Sequence, residues 1–315
     1  MNSIARCLAE TGQVMAHRPD WIAVTGAMGF IGRHLVAALR AEDVNVIAIV
    51  RKPSKYLQFF GGIEQRVVDR LEDSYQLAKA LAGVDTVIHL ADGAERAGPS
   101  PGGAATPEDR MKSLCNAMTD NGIGRLVYSS TIYARLCEEG SWSSYGQGKL
   151  DAEAAARSFP GIKPVFLRLP PIYGAGCGGG FATIARLVGS GMPLPFGSFT
   201  NRRDYLAIEN LASLMVRVIR SDDEHWNMLC SREFEPSDGQ PVSVAELVPM
   251  IAKAMGRETR NFPFPPSILR MVAHMAGKAD AVEAAYAPLI ALSLEALERA
   301  TGWTPPARMP ATLRF

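Results

Sequence analysis

Short apolar runs and longer amphipathic stretches alternate along the first half of the chain. Runs at Trp21–Thr25, Val44–Val50, Gln65–Val68, Thr86–Leu90, Arg125–Ser129 and Pro164–Leu169 predict strands. Stretches near Phe30–Arg40, Ser74–Leu81, Glu108–Asn121 and Tyr145–Phe159 predict helices. The run VNVIAIV shows no clean apolar–polar alternation, as expected of a strand covered on both faces of a parallel sheet. This rhythm predicts right-handed βαβ crossovers and a Rossmann-type, doubly wound parallel α/β sheet over residues 21–170. After Leu169, Pro170, Pro171 and a glycine-rich run break the pattern. Helical stretches near Ala182–Ser190, Glu209–Ile219, Val244–Met255, Pro266–Ala276 and Leu292–Ala300 then predict a smaller, mostly helical lobe over 171–315, with an approximate boundary that the chain can recross. Residues 1–20 read as an N-terminal extension, Met15 being an alternative start. Asp92–Thr106 is rich in Gly, Pro and Ala and reads as irregular, either a lid over a strand end or a plain connection.

Of the 315 residues, 47% are hydrophobic and 21% charged, so a sizeable core forms and disorder is excluded for most of the chain. Lys plus Arg number 33 against 32 Asp plus Glu, a balance that gives no general attraction to nucleic acid or anionic membranes. There is no apolar run of 18 residues and no signal-like segment near the N-terminus, which predicts a cytoplasmic protein with no membrane span. Cys7, Cys115, Cys137, Cys177 and Cys230 lack metal-ligand spacing and read as reduced thiols, so no metal site is expected.

Candidate chemistry begins at Thr25-Gly26-Ala27-Met28-Gly29-Phe30-Ile31-Gly32, between the first strand and the first helix. Gly26 permits a tight turn, Gly29 lets backbone approach a pyrophosphate, and Gly32 lets the helix pack closely on its strand. The helix N-terminus then offers unpaired N–H groups to a diphosphate. Where an NAD site usually has an acidic residue after the second strand, this chain has Arg51, with Lys52 and Lys55 beyond it. That favours a 2′-phosphate, hence NADP(H) over NAD(H). Asp69, after the third strand, is placed to hydrogen-bond an adenine edge.

Tyr145 and Lys149 are four residues apart and share one face of a helix. A phenol with pKa near ~10 is a poor base at neutral pH. The adjacent ammonium and the positive nicotinamide ring are expected to favour phenolate, so that Tyr145 exchanges a proton with a substrate hydroxyl while hydride moves. Upstream, a strand runs into Ser129-Ser130-Thr131, hydroxyls that can orient a developing alkoxide.

Together TGAMGFIG, VIHLAD, LVYSST, YGQGK, LRLPPIYG and NRRDYLAIENLA resemble the extended short-chain dehydrogenase/reductase family, the NAD(P)-dependent nucleotide-sugar epimerase/dehydratase group, over Trp21 to Pro305. The resemblance implies catalysis by Tyr145, Lys149 and a Ser/Thr at Thr131, with Ser130 in contention. It implies cofactor contacts from Gly26, Gly29, Phe30, Ile31, Gly32, Arg51, Asp69, Leu90, Ala91, Pro170, Tyr145 and Lys149, and substrate contacts from Phe196, stacking on a base, and Arg203, on a diphosphate. A second diphosphate Arg is absent from Val282–Pro288, and Pro107 stands near the place of a cofactor-contacting Asn. The implied activity is oxidoreduction of a nucleotide-linked sugar, in a homodimer, and Arg51 turns the expectation toward reduction of a 4-ketosugar by NADPH. A nucleotide-sugar 4-epimerase with retained NAD, a reductase of a carbonyl without nucleotide, and a non-catalytic dinucleotide-binding scaffold stand as alternatives. A 4,6-dehydratase is disfavoured, because Ile132-Tyr133 occupy the places of its Asp-Glu pair.

Overall fold

The computed structural model describes residues 21–58, 61, 63–92, 105–141, 143–275, 288–292 and 294–313. The expected N-terminal extension, most of the 92–106 loop and nearly all of 282–288 lie outside them.

Six strands form one sheet: β1 (Ile22–Thr25), β2 (Val46–Val50), β3 (Glu64–Val67), β4 (Thr86–His89), β5 (Arg125–Thr131) and β6 (Lys163–Leu169). Their order is β3-β2-β1-β4-β5-β6 and every pairing is parallel, with Ile22 opposite both Val46 and Thr86. This is the expected doubly wound α/β sheet. β1, β2 and β4 are buried along their whole length, which accounts for their unbroken apolar runs. The edge strand β3 is largely exposed and polar.

Helices α1 (Phe30–Ala41), α2 (Lys55–Gln58), α3 (Ser74–Ala80), α4 (Pro107–Asp120), α5 (Ile132–Glu138) and α6 (Ser144–Arg157) connect these strands. In α1 the buried residues are Gly32, Leu35, Val36 and Leu39, the spacing of one helical stripe. Thr106 and Asp109 form a capping box at the start of α4, whose first residue is Pro107. Ser143 caps α6 by accepting from the Gly146 N–H at 3.1 Å. The short helices α2 and α5 carry no legible period and differ from the connections expected at their places.

The chain divides into two compact units. The first contains the sheet up to Leu169 and also takes in Leu211–Glu235 and Glu295–Thr304, so the chain crosses back into it twice. Those returns bring α8 from Leu211 onward (helix Ile208–Ile219), α9 (Asp223–Cys230) and most of α12 (Leu294–Thr301). The second unit contains α7 (Gly179–Gly189), α10 (Val244–Ala254) and α11 (Pro266–Met275). It also holds two small two-stranded sheets: β7 (Ile172–Tyr173) with β9 (Leu206–Ala207), and β8 (Arg202–Arg203) with β10 (Val242–Ser243). Its core gathers Tyr173, Phe181, Phe199, Tyr205, Leu247 and Ile251. Within it the Tyr173 hydroxyl donates to Asp238 at 2.7 Å, and Asp238 accepts from the Ala207 N–H and the Asn210 amide.

Among the described residues Cys115, Cys137, Cys177 and Cys230 are free, no cluster of His, Cys, Asp or Glu could hold a metal, and no helix is long and apolar enough to cross a membrane.

Candidate active site

The turn after β1 is closed by the Gly29 N–H donating to the Gly26 carbonyl at 2.8 Å, with Gly26 at φ +69°. A Cβ on Gly26 would meet the Leu90 carbonyl carbon at 2.9 Å and the Ala91 Cα at 3.0 Å, so the turn lies directly against Leu90 and Ala91. A Cβ on Gly32 would stand 2.2 Å from the Gly26 carbonyl oxygen. Only glycines permit this approach of α1 to the turn. Gly29 caps α1 with no side-chain hydrogen bond, and no acid stands in the first turn. The first N–H groups of α1 therefore suit a diphosphate, which is the fit a dinucleotide requires. Arg51, Lys52 and Lys55 are exposed just beyond β2, and Asp69 is exposed just beyond β3. Phe30 and Ile31 are half-buried in the first turn of α1.

β5 runs two residues further than its apolar pattern predicts, through Ser129, Ser130 and Thr131. Strand alternation sends these hydroxyls to opposite faces. The Thr131 hydroxyl is near enough to the Tyr145 phenol to favour its ionised form, and it accepts from the Tyr133 N–H at the start of α5. Ser130 instead donates to Glu153 at 2.5 Å. Thr131 and Tyr145 are thus brought together, and Ser130, also expected as a catalytic hydroxyl, is not one of them.

Lys149 is 3% exposed. Its ammonium donates to the Ser129 carbonyl at 2.7 Å and lies 4.5 Å over the Tyr128 ring. The glycines of YGQGK set this placement. A Cβ on Gly146 would lie 2.5 Å from the Tyr133 carbonyl oxygen, and one on Gly148 would lie 3.2 Å from Pro107 Cγ, so α6 packs tightly on α5 and on the first turn of α4.

The expected phenolate depends on the ammonium and the positive nicotinamide ring together; the net effect of the protein's own residues is upward. Burial pushes Tyr145 up to about 12, with the Thr131 hydroxyl opposing and Asp92 adding to the rise. Lys149 is engaged with Ser129 and Tyr128 instead. Burial brings Lys149 down to about 8, Asp92 and Glu153 acting against that fall and Arg110 with it.

Two polar networks beneath the site escaped the sequence reading. In the first, His89 bridges Thr25 (Nδ1 to Oγ1, 2.8 Å) and Asp92 (Nε2 to Oδ2, 3.1 Å). Asp92 also accepts from the Tyr128 hydroxyl at 3.2 Å and from Arg110 Nε at 2.7 Å. Asp92, beyond the end of β4, is therefore pinned and buried. Burial works to raise its pKa, but the His89 imidazole, then Lys149 and Arg110, hold it well below the usual carboxylate range. In the second network Arg168, on β6, grips the fully buried Glu153 (Nη2 to Oε2, 2.6 Å) and makes two bonds to Glu138 at 2.7 and 2.8 Å. An arginine inside the apolar run VFLRLPP was the available signal, because a charge in a strand covered on both faces requires a buried partner.

The remaining expected residues belong to the second unit. Arg203 is 7% exposed on β8, opposite Val242 of β10. Phe196 is half-buried and meets Phe199 edge-on at 5.5 Å. Pro170 is buried at the start of that unit.

The profile of the NAD dependent epimerase/dehydratase family matches residues 22–228. The chain is 29% identical to a UDP-glucose 4-epimerase of Vibrio cholerae, covering 91% of this chain and 92% of that one. Among solved structures it is similar to the Bordetella bronchiseptica enzyme WbmG in complex with NAD and UDP, with TM-score 0.68 and 17% identity over 94% of this chain and 93% of that one. It is similar also to Citrobacter sp. triphenylmethane reductase complexed with NADP(H), with TM-score 0.65 and 20% identity over 90% of this chain and 96% of that one.

Proposed function

Because the chain belongs to the NAD dependent epimerase/dehydratase family, we propose that it reduces the 4-keto group of a nucleotide-linked sugar, with Tyr145 as proton donor and NADPH as the preferred cofactor. It is an enzyme of that family and takes a nicotinamide dinucleotide. What supports the reductive direction is Arg51, exposed just beyond β2 with Lys52 and Lys55 where an acid would select NAD, since a 2′-phosphate cofactor is the usual carrier of reducing hydride.

When bound, the nicotinamide ring supplies the hydride. Thr131 donates a hydrogen bond to the carbonyl oxygen and aims it at Tyr145, which gives its proton to that oxygen as the alkoxide develops. Lys149 holds the nicotinamide ribose with the hydrogens that Ser129 leaves it. The N–H groups at the start of α1 take the diphosphate, and Arg51 with Lys52 and Lys55 takes the 2′-phosphate. A second reading, the 4-epimerase that keeps its cofactor, is supported by the likeness to the Vibrio cholerae enzyme over nearly the whole chain.

One experiment separates them. UDP- and dTDP-linked 4-keto-6-deoxyhexoses are offered with NADPH, and UDP-glucose is offered to the NAD-loaded enzyme. Stoichiometric loss of NADPH absorbance with a 4-hydroxy product supports the reductase. Interconversion of UDP-glucose and UDP-galactose without net cofactor change overturns it in favour of the epimerase.

The cofactor preference has its own test. Arg51→Asp replaces a phosphate partner by a repelling carboxylate, so NADPH affinity should fall by about tenfold or more, since even one lost charge-assisted bond reaches that scale. NADH affinity should change little. If the wild type binds NADH as tightly as NADPH, Arg51 is a surface charge only.

For the substrate, Arg203→Met should lower affinity for sugar nucleotide by more than about tenfold, through loss of bidentate bonds to the diphosphate. Lys at the same position should recover only part. Equal titrations of wild type and Arg203→Met would remove Arg203 from diphosphate binding and favour a carbonyl substrate without nucleotide.

A further inference from the structure

We propose that Asp92 and Arg110 are a pair of positioning residues that fix the Tyr128 ring and, through it, the Lys149 ammonium. The inference rests on the reading that Lys149 holds the cofactor. It concerns a part of the site that neither the glycine turn nor the Tyr-Lys spacing reveals.

The chain of contacts is continuous. Arg110 Nε donates to Asp92 Oδ1 at 2.7 Å, while its Nη1 donates to the Ala105 carbonyl at 2.7 Å and so fixes the fork. Asp92 Oδ2 accepts the Tyr128 hydroxyl and is met by His89. His89 and Tyr128 stack at 5.6 Å, which leaves the phenol ring of Tyr128 one orientation. Lys149 lies over that ring. A cation above a π-face is held by the ring quadrupole, so whatever fixes the ring also fixes the ammonium.

The route from α4 has a local cause. Pro107 presents no polar side chain where it packs on Gly148, next to Lys149. Arg110 is one turn further along the same helix and is the residue of that face that can carry charge toward the site.

Facing Lys149 are Asp92 beyond β4, Arg110 from α4, Tyr128 and the Ser129 carbonyl from β5, and Glu153 from its own helix. Asp92 favours the ammonium and Arg110 opposes it. The two members of one ion pair should therefore move the titration of Lys149 in opposite directions. A purely structural pair would damage the protein in the same direction whichever member were lost.

The test is the pH dependence of NADPH binding, followed by nicotinamide fluorescence, in wild type, Lys149→Met, Arg110→Gln and Asp92→Asn. In wild type, binding should weaken as pH rises through about 8, where Lys149 loses its proton. In Lys149→Met that alkaline limb should vanish. If it persists, Lys149 does not hold the cofactor and the underlying reading fails. Given a limb that belongs to Lys149, Asp92→Asn should move it down by about half a pH unit or more, and Arg110→Gln should move it up. The Arg110 side chain is 23% exposed and its loss leaves Asp92 with His89 and Tyr128, so Arg110→Gln decides the matter even where Asp92→Asn does not fold. An unmoved limb, or one moved down in Arg110→Gln, overturns the inference and leaves the role of Lys149 standing.

Discussion

Tyr145→Phe is expected to lower turnover by about 10²-fold or more, the scale of a positioned acid or base, while leaving cofactor affinity within about threefold of wild type. The substitution removes one hydroxyl from a half-buried side chain and keeps its packing volume. What disappears is the proton that the developing alkoxide must receive. Residual activity should keep the same alkaline limb, because that limb belongs to Lys149 near 8 and not to a phenol near 12. Steady-state rates with a validated substrate check both points. Near-normal turnover would take Tyr145 out of the mechanism.

The largest effect on stability is expected from Arg168→Met. It leaves the Glu153 carboxylate, 0% exposed, with the Ser130 hydroxyl at 2.5 Å and the Arg157 guanidinium at 3.8 Å. An uncompensated buried charge costs about 3–5 kcal/mol, equivalent to a Tm lower by roughly 10 °C in a protein of this size. Removing both charges together, in Glu153→Leu/Arg168→Met, should recover more than half of that loss, because the penalty lies in the orphaned carboxylate and not in the absent attraction. Thermal melts decide this. A single variant that melts within about 2 °C of wild type would mean that Glu153 does not depend on Arg168.

Much of the fold was legible because its signals are local. The stripe Gly32, Leu35, Val36, Leu39 and the buried runs of β1, β2 and β4 repeat at the periods of helix and strand. The Tyr145–Lys149 spacing is likewise a property of one helix. The choice among three consecutive hydroxyls was not local. It depends on Glu153, which is 23 residues from Ser130 and draws that side chain away from the site. Asp92 looked like the first residue of an irregular segment because its partners, His89, Arg110 and Tyr128, come from three separate elements. The two-residue strands β7 to β10 are too short to carry any alternation, so the second unit read as mostly helical. The short helix α5 opens on β-branched Ile132, a poor helix former, and is held there by the Thr131 cap.

The two returns of the chain into the first unit have a consequence for biosynthesis. Every strand of the six-stranded sheet has been made once Leu169 is polymerised, yet segments that complete the same unit arrive only with Leu211–Glu235 and Glu295–Thr304. Among the missing contacts are those of Phe234, whose N–H and carbonyl bond the Phe166 carbonyl and the Arg168 N–H along β6, and of Trp226, which is buried against the Lys163 carbonyl. At ordinary elongation speeds the interval from Leu169 to Glu235 is on the order of five seconds. Through that time a nascent sheet has the β6 edge unprotected, the geometry that recruits foreign strands. A fragment ending at Leu169 would share this state permanently, so the nucleotide-binding half of this chain is a unit in space but not a unit of translation.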